Sequence, residues 1–181
     1  MDMFATAANA TVATGPQKLE RTVQHADFEA MYRREYSQLV RVAYALCGRI
    51  DIAEEIVQDA MTKTYTRWST VKEYERPGAF VRKVVVNDAT SALRRKRAEV
   101  RALVRFRGSS GADTMVDPEV DEFWRLVRTL PARQAQVVAL FYADDHTTAE
   151  IANVLDIAEG TVRATLTQAR ATLRATLEED K

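Results

Sequence analysis

The chain has 181 residues, with 26 Lys+Arg balanced by 26 Asp+Glu and a hydrophobic content of 46%. That composition suits one ordinary globular domain or two small ones, and it excludes collagen, a coiled-coil fibre and full disorder. A single cysteine, Cys47, excludes an intramolecular disulfide framework and a cysteine zinc finger, and two histidines, His25 and His146, leave little for a metal centre. No stretch approaches about 18 apolar residues, so no membrane span is expected. The start, MDMFATAANATVATGPQ, lacks the basic n-region and compact apolar core of a secretory signal. A reduced, cytoplasmic setting without cofactor is expected.

Residues 1–24 are Ala/Thr-rich without periodicity and read as a disordered arm. From Asp27 to Cys47, Phe28, Met31, Tyr32, Leu39, Ala43 and Leu46 recur at helical spacing. Asp51 is placed as the N-cap of a second amphipathic helix carrying Ile52, Ile56, Val57, Ala60, Thr64 and Trp68. Ser69 to Pro77 reads as a polar loop, with Pro77 suited to the first turn of a third helix. That helix contains Val84-Val85-Val86, a β-branched triplet that favours a strand locally. No Gly or Pro interrupts Ala79 to Glu99, however, and the run is too long for a strand.

A Gly/Ser stretch near Gly108 marks a linker over 108–120 and divides the chain into a domain over 25–107 and another over 121–181. Phe123, Trp124, Val127 and Leu130 mark one helix of the second domain, and Pro131 opens the next, with Val137, Val138 and Phe141 inward. Thr147-x-x-Glu150 is a capping box leading into Ile151, Ala152 and Leu155. After a short turn, Val162, Leu166, Ala169, Leu173 and Leu177 form a continuous apolar seam. With no strand and no repeat, the fold is predicted to be all-α: two small helical domains joined by a flexible linker.

Charge is distributed unevenly. Residues 25–107 carry 17 basic against 11 acidic residues, and residues 108–181 carry 7 against 13. The excess concentrates between Arg82 and Arg107, with 9 basic and 2 acidic residues. An acidic partner for that segment, above all nucleic acid, would explain the contrast, as would a solvated helix end.

Two constellations carry chemistry. The first is a two-turn helix, a tight turn and a longer helix, the geometry of a helix-turn-helix. Ala152 allows close approach, Val162 plugs the corner, and Asp156 stands at the turn position where Gly is usual, tolerating the left-handed conformation better than most residues. Ala158 stands where a capping Ser or Thr is expected. Arg163, Thr167, Arg170 and Arg174 share an outer stripe that can reach phosphates or guanine edges, with Glu159 and Thr161 at the helix start.

The second constellation is a row four residues apart, Lys83, Asn87, Ser91 and Arg95, extended by Arg94, Lys96 and Arg97. Cations attract a phosphate backbone, and Asn and Ser can position or read it. Tyr74 and Phe80 lie nearby in sequence; an aromatic loop beside a basic helix could trap an unstacked base, though Phe80 equally fits a core position. On the second helix, Asp51, Glu54, Glu55, Gln58, Asp59 and Thr62 form a mostly acidic face, turned away from DNA or simply solvated.

Together these segments resemble bacterial RNA polymerase sigma factors of the extracytoplasmic-function group. The resemblance runs from Phe28 to Leu177 through FEAMYRREYSQLVRVAYAL, DIAEEIVQDAMTKTYTRW, PGAFVRKVVVNDATSALRRKR and LPARQAQVVALFYADDHTTAEIANVLDIAEGTVRATLTQARATLR, in family order and register. It implies that the segment around Ala53, Ile56, Val57, Gln58 and Asp59 docks on the coiled-coil clamp of the polymerase's largest subunit. Asn87, Ser91, Arg94 and Arg95 fall where the family contacts the melted minus-ten element, and the loop from Lys72 through Tyr74 to Arg76 matches the loop that captures a flipped base. Arg163, Ala164, Thr167 and Gln168 fall on the helix reading the minus-thirty-five element. The implied partners are core RNA polymerase, promoter DNA as duplex and as melted strand, and an anti-sigma factor, with no membrane.

Phe80 and Ser91 stand where the family often has Trp and Asp, and Thr165 and Gln168 replace expected cations. Fewer phosphate contacts predict weak upstream binding by the C-terminal domain alone, with a shallow salt dependence; tight, steeply salt-dependent binding would contradict this. Two rival readings fit the same residues. One is a stand-alone helix-turn-helix regulator, and the other a degenerate module that docks on polymerase without opening promoters. No Ser/His/Asp set, Gly-rich phosphate loop or metal-ligand cluster supports an enzyme.

Overall fold

The computed structural model describes residues 16–104 and 118–179, and every regular element among them is helical. In chain order these are α1 (Pro16–Cys47), α2 (Ile50–Thr66), α3 (Trp68–Val71), α4 (Pro77–Val104), α5 (Pro118–Val127), α6 (Ala132–Tyr142), α7 (Thr148–Leu155) and α8 (Glu159–Glu179). The β-branched triplet sits inside α4: Val85 and Val86 are fully buried and Val84 packs against the core. Burial of the inward stripe overrides the local strand preference of the triplet.

Three sequence-based boundaries move. α1 begins at Pro16, so the last nine residues of the expected disordered arm are helical; Pro fits a first turn, and Gln, Lys, Leu, Glu and Arg that follow are good helix formers. The rest of the arm, 1–15, lies outside the described residues, as does 105–117. The final residues of the expected linker, from Pro118, already belong to α5. The second helix is capped by Arg49 in extended conformation, not by Asp51, which lies in its first turn and is paired with Arg49. It ends at Thr66, and Trp68 opens the short α3 within what the sequence suggested was helix and polar loop.

α1, α2 and α4 form the first bundle, each packing on the other two. Its core is Leu39, Val42, Leu46, Val57, Val81 and Val85, all fully buried, and sealing one such side chain contributes about 1.5–3 kcal/mol. Gly48 ends α1 in the left-handed conformation (φ +73°), its N–H donating to the Tyr44 carbonyl at 2.8 Å. A Cβ there would meet the Arg128 side chain at 2.8 Å, which could swing aside, so it is the positive φ that favours glycine.

α5 to α8 form the second bundle around Leu130, Val137, Leu140, Ile151 and Val162. Thr147 closes α7 through the expected capping box: its hydroxyl accepts from the Glu150 N–H, and Glu150 accepts from the Thr147 N–H at 2.9 Å. Thr147→Ala is expected to lower stability by about 1 kcal/mol, read as a fall in melting temperature. Asp156 takes the left-handed conformation (φ 57°, ψ 54°) at the turn, as anticipated.

The two bundles are packed directly on each other. α5 and α6 pack against α1, and α6 and α7 pack against α4, so one hydrophobic cluster runs through both.

Candidate nucleic-acid interface

The row on α4 is assembled as its spacing implies. Lys83, Asn87, Arg94 and Arg95 are exposed and Ser91 half-exposed, while Val81, Val85, Val86, Ala89 and Leu93 line the opposite, buried face. Arg94 Nη2 donates to Ser91 Oγ at 3.4 Å, so the guanidinium and hydroxyl act from one patch. At the N-terminal end of the helix, Tyr74 is 46% exposed with its ring edge-on to Phe80 at 5.7 Å. Phe80 packs against the core, as its alternative reading held, and braces an exposed tyrosine from behind. Such a ring offers a face to an unstacked base. Lys72 lies in the same loop and pairs with Glu73 at 3.8 Å.

On α2 the 3.6-residue period divides the docking segment in two. Ala53 and Val57 are sealed in the core at 0% exposure and Ile56 is buried, so the first two cannot touch a partner. Gln58 and Asp59 are exposed, together with Glu54, Glu55 and Thr62. A groove of about 280 Å³ separates this acidic face from the basic row, with Glu55 and Asp59 on one wall and Ser91 and Arg95 on the other. Lys63 bridges it to Asp88 at 3.2 Å.

In the helix-turn-helix, α7, the Asp156 turn and α8 place Thr161, Arg163, Ala164, Thr167, Gln168 and Arg170 on the exposed side of α8. Arg170 is held in place: its Nε donates to Tyr142 Oη at 3.0 Å and its guanidinium lies 5.4 Å from the Phe141 ring centre. Glu159 is occupied structurally, accepting from Thr148 Oγ1 and Arg163 Nη2, both at 2.6 Å. Those hydrogen bonds hold its carboxyl below the usual carboxylate range. Thr165 is only 8% exposed, so a cation at that position would face the interior. The expectation that Thr165 costs a phosphate contact is therefore corrected, and Gln168 alone carries it.

A buried charge cluster between the bundles has no counterpart in the sequence patterns. Arg82 on α4 donates from Nη1 to Glu35 Oε2 at 2.6 Å and from Nε to Asp144 Oδ2 at 2.7 Å. Burial pushes the Glu35 carboxyl up, but hydrogen bonds and charge from Arg34 and Arg82 outweigh it and hold the group below its ordinary range. His146 Nδ1 lies 3.3 Å from Asp144 Oδ2. The only sequence signal was an Arg on the half-buried flank of an amphipathic helix.

Fold and surfaces define a two-part helical nucleic-acid-binding protein with a helix-turn-helix in its second half. Residues 31–99 match the family described as Sigma-70 region 2, and residues 121–173 match Sigma-70, region 4. The RNA polymerase sigma-E factor of Streptomyces coelicolor is 29% identical over 153 residues, covering 83% of this chain and 86% of the relative. The ECF RNA polymerase sigma factor SigM of Mycobacterium tuberculosis is 26% identical over 146 residues, covering 81% and 74%. Among solved structures, the fold is similar to that of the sigma factor RpoE of Bartonella quintana in complex with the anti-sigma factor NepR (TM-score 0.66, 22% identity, 86% of this chain and 99% of that one). It is also similar to CnrH in complex with the cytosolic domain of CnrY (TM-score 0.64, 19% identity, 87% and 91%). The chain belongs to the sigma-70 family of RNA polymerase sigma factors, in the extracytoplasmic-function group, whose members direct core polymerase to promoters.

Proposed function

We propose that this sigma factor divides promoter recognition between its two bundles, with the α4 row holding the melted minus-ten strand and α8 reading the minus-thirty-five duplex. The observation that carries this is the row of exposed Lys83, Asn87, Arg94 and Arg95 with half-exposed Ser91 on one face of α4, adjoining Tyr74 at its end. Arginines neutralise phosphates, Asn87 and Ser91 supply directional hydrogen bonds, and Tyr74 stacks a base turned out of the duplex. The free energy of unpairing is offset by these contacts. Thr161, Arg163, Ala164, Thr167, Gln168 and Arg170 meet the major groove of the upstream element, and polymerase tethering of both bundles raises the effective concentration of each for its element.

The exposed part of the docking segment, Gln58 and Asp59 with Glu54 and Glu55, is the contact to the clamp of core polymerase. The chain acts as an initiation factor in the cytoplasm. An anti-sigma factor is a further partner, in line with the assemblies in which the two similar structures were solved. A stand-alone regulator would need only the second bundle, whereas the α4 row and acidic α2 face belong to the first.

Run-off transcription with purified core polymerase over genomic fragments tests the reading. Discrete transcripts that require the full chain are expected. Polymerase binding without any transcript would instead leave a docking module.

A further inference from the structure

We propose that the cleft between the C-terminal part of α4, the end of α1 and α5 is a binding site for a small anionic amphiphile, a single carboxylate on an unbranched apolar chain. The proposal is independent of the reading of α4 as the strand-binding surface.

The sequence adds Lys96 and Arg97 to the basic row, but α4 turns them away from it. Ser91 and Arg95 look onto the groove shared with α2, whereas Lys96 and Arg97 line a separate cleft of about 580 Å³. Its floor is apolar: Leu93 and Cys47 are 6% and 5% exposed, and Gly48 brings only backbone. α5 and the turn after it close the opposite side with Arg125, Arg128 and Thr129. Four cations thus ring one apolar floor, and among the described residues lining the cleft none is acidic.

The position of Lys96 is not one that packing asks for. Val81, Val85, Ala89 and Leu93 fall four apart and are all buried. The next positions on that stripe, Lys96 and Arg97, carry cations where a stripe built only for the core would continue apolar or stop. The fold also fixes two of the arginines. Arg128 Nη1 donates to the Ala45 carbonyl at 3.5 Å, at the end of α1, and Arg97 Nη2 donates to the Leu130 carbonyl at 3.4 Å, just past α5. Arg125 pairs with Glu122 at 3.4 Å, but both side chains are well exposed, and such a surface pair is readily exchanged for another. Burial pushes the Cys47 thiol up even though Arg128 and Lys96 lie close enough to oppose it, so the charges bear directly on the floor.

This arrangement selects its occupant. Like charges around one hollow repel, and the repulsion is stronger beside a low-dielectric floor than in water. An anion at the mouth relieves it. Inorganic phosphate would leave the floor wet, and a neutral chain would leave the cations unanswered. The Lys and Arg stems are apolar while their heads stay in water, so the walls suit a hydrocarbon chain and the mouth suits its carboxylate. The volume lies within the range of about 300–1,000 Å³ typical of small-molecule pockets.

The test is calorimetric titration of the full chain with decanoate, below the concentration at which it forms micelles. Decyltrimethylammonium, which has the same chain with the opposite charge, and inorganic phosphate are the comparison probes. One saturable site with a Kd of about 100 µM or tighter is expected for decanoate, with each comparison probe at least about tenfold weaker. Lys96→Gln and Arg125→Gln, both at exposed side chains, should each weaken decanoate by about fivefold. Circular dichroism checks helicity, and if one variant loses it the other decides. Absence of a saturable site would overturn the proposal, as would equal binding of the two chains of opposite charge. Tighter binding of phosphate than of decanoate would instead make the cleft a phosphate site and overturn the apolar part of the assignment. Folded variants that bind decanoate like the wild type would place its site elsewhere and overturn the proposal for this cleft.

Discussion

Replacing Gln58 and Asp59 together by alanine is expected to weaken capture of core polymerase by about tenfold to a hundredfold, the range that a few central interface residues command, with stability shifted by less than about 0.5 kcal/mol. Both side chains are exposed on α2, and neither carries a hydrogen bond that the fold depends on. Val57→Ala one residue away should behave in the opposite manner. Val57 is fully buried between α2 and its neighbours, and deleting its two methyl groups costs about 2 kcal/mol in transfer and cavity terms. That lowers the melting temperature by about 5 °C for a chain of this size, with polymerase affinity unchanged at temperatures where the variant is folded. Pull-down against core polymerase and thermal denaturation, run on both variants, separate contact from support. A Gln58/Asp59 variant that binds like the wild type would remove the acidic α2 face from the interface.

The same pair of residues shows where sequence reading succeeds and where it stops. Periodicity placed α2, α4 and α8 and chose their inward faces correctly, because a 3.6-residue apolar stripe has no other comfortable home than a helix on a core. It also exposed the α4 row, since side chains four apart must share a face. The docking segment that the resemblance implies is a block of neighbours, and a block of consecutive residues cannot all point outward; Ala53 and Val57 belong to the stripe that the period assigns to the core. Thr165 failed for the same reason: its place in a motif suggested a missing cation, but its angular position on α8 turns it inward.

The packing of the two bundles was not legible. A stretch rich in Gly and Ser reads as a spacer, and no local pattern announces that Arg82 will meet Asp144, 62 positions away, or that Gln136 will meet Thr90. Such pairings depend on tertiary geometry, and a polar residue on a helix flank looks the same in the sequence whether it faces water or another bundle. Asp144 precedes Asp145, which takes a positive φ of 51°, and the capping box at Thr147 follows shortly after. The chain there reads simply as a polar connection between helices, which hides a carboxylate that is all but sealed from solvent.

Within the assembled polymerase complex, Arg94→Ala combined with Arg95→Ala is expected to reduce open-promoter formation by more than tenfold at moderate salt and to flatten its salt dependence. Each phosphate neutralised on a single strand contributes about 0.7 to the slope of log affinity against log salt, so losing two contacts should lower the slope by about 1.4. Asn87→Ala provides the contrast. It removes a neutral hydrogen-bonding group from the centre of the same face, so it should weaken opening without altering the slope. The distinction matters because a double arginine variant could also fail by general damage. Both guanidinium groups are exposed, and the Arg94 contact to Ser91 Oγ at 3.4 Å is a long one whose loss leaves no buried group unpaired. Damage to the fold would lower activity at every salt concentration alike. Permanganate footprinting of melted thymines across a salt series reads both quantities at once. A double variant whose slope matches the wild type would mean that Arg94 and Arg95 meet no phosphate, and the basic end of α4 would then need a different partner.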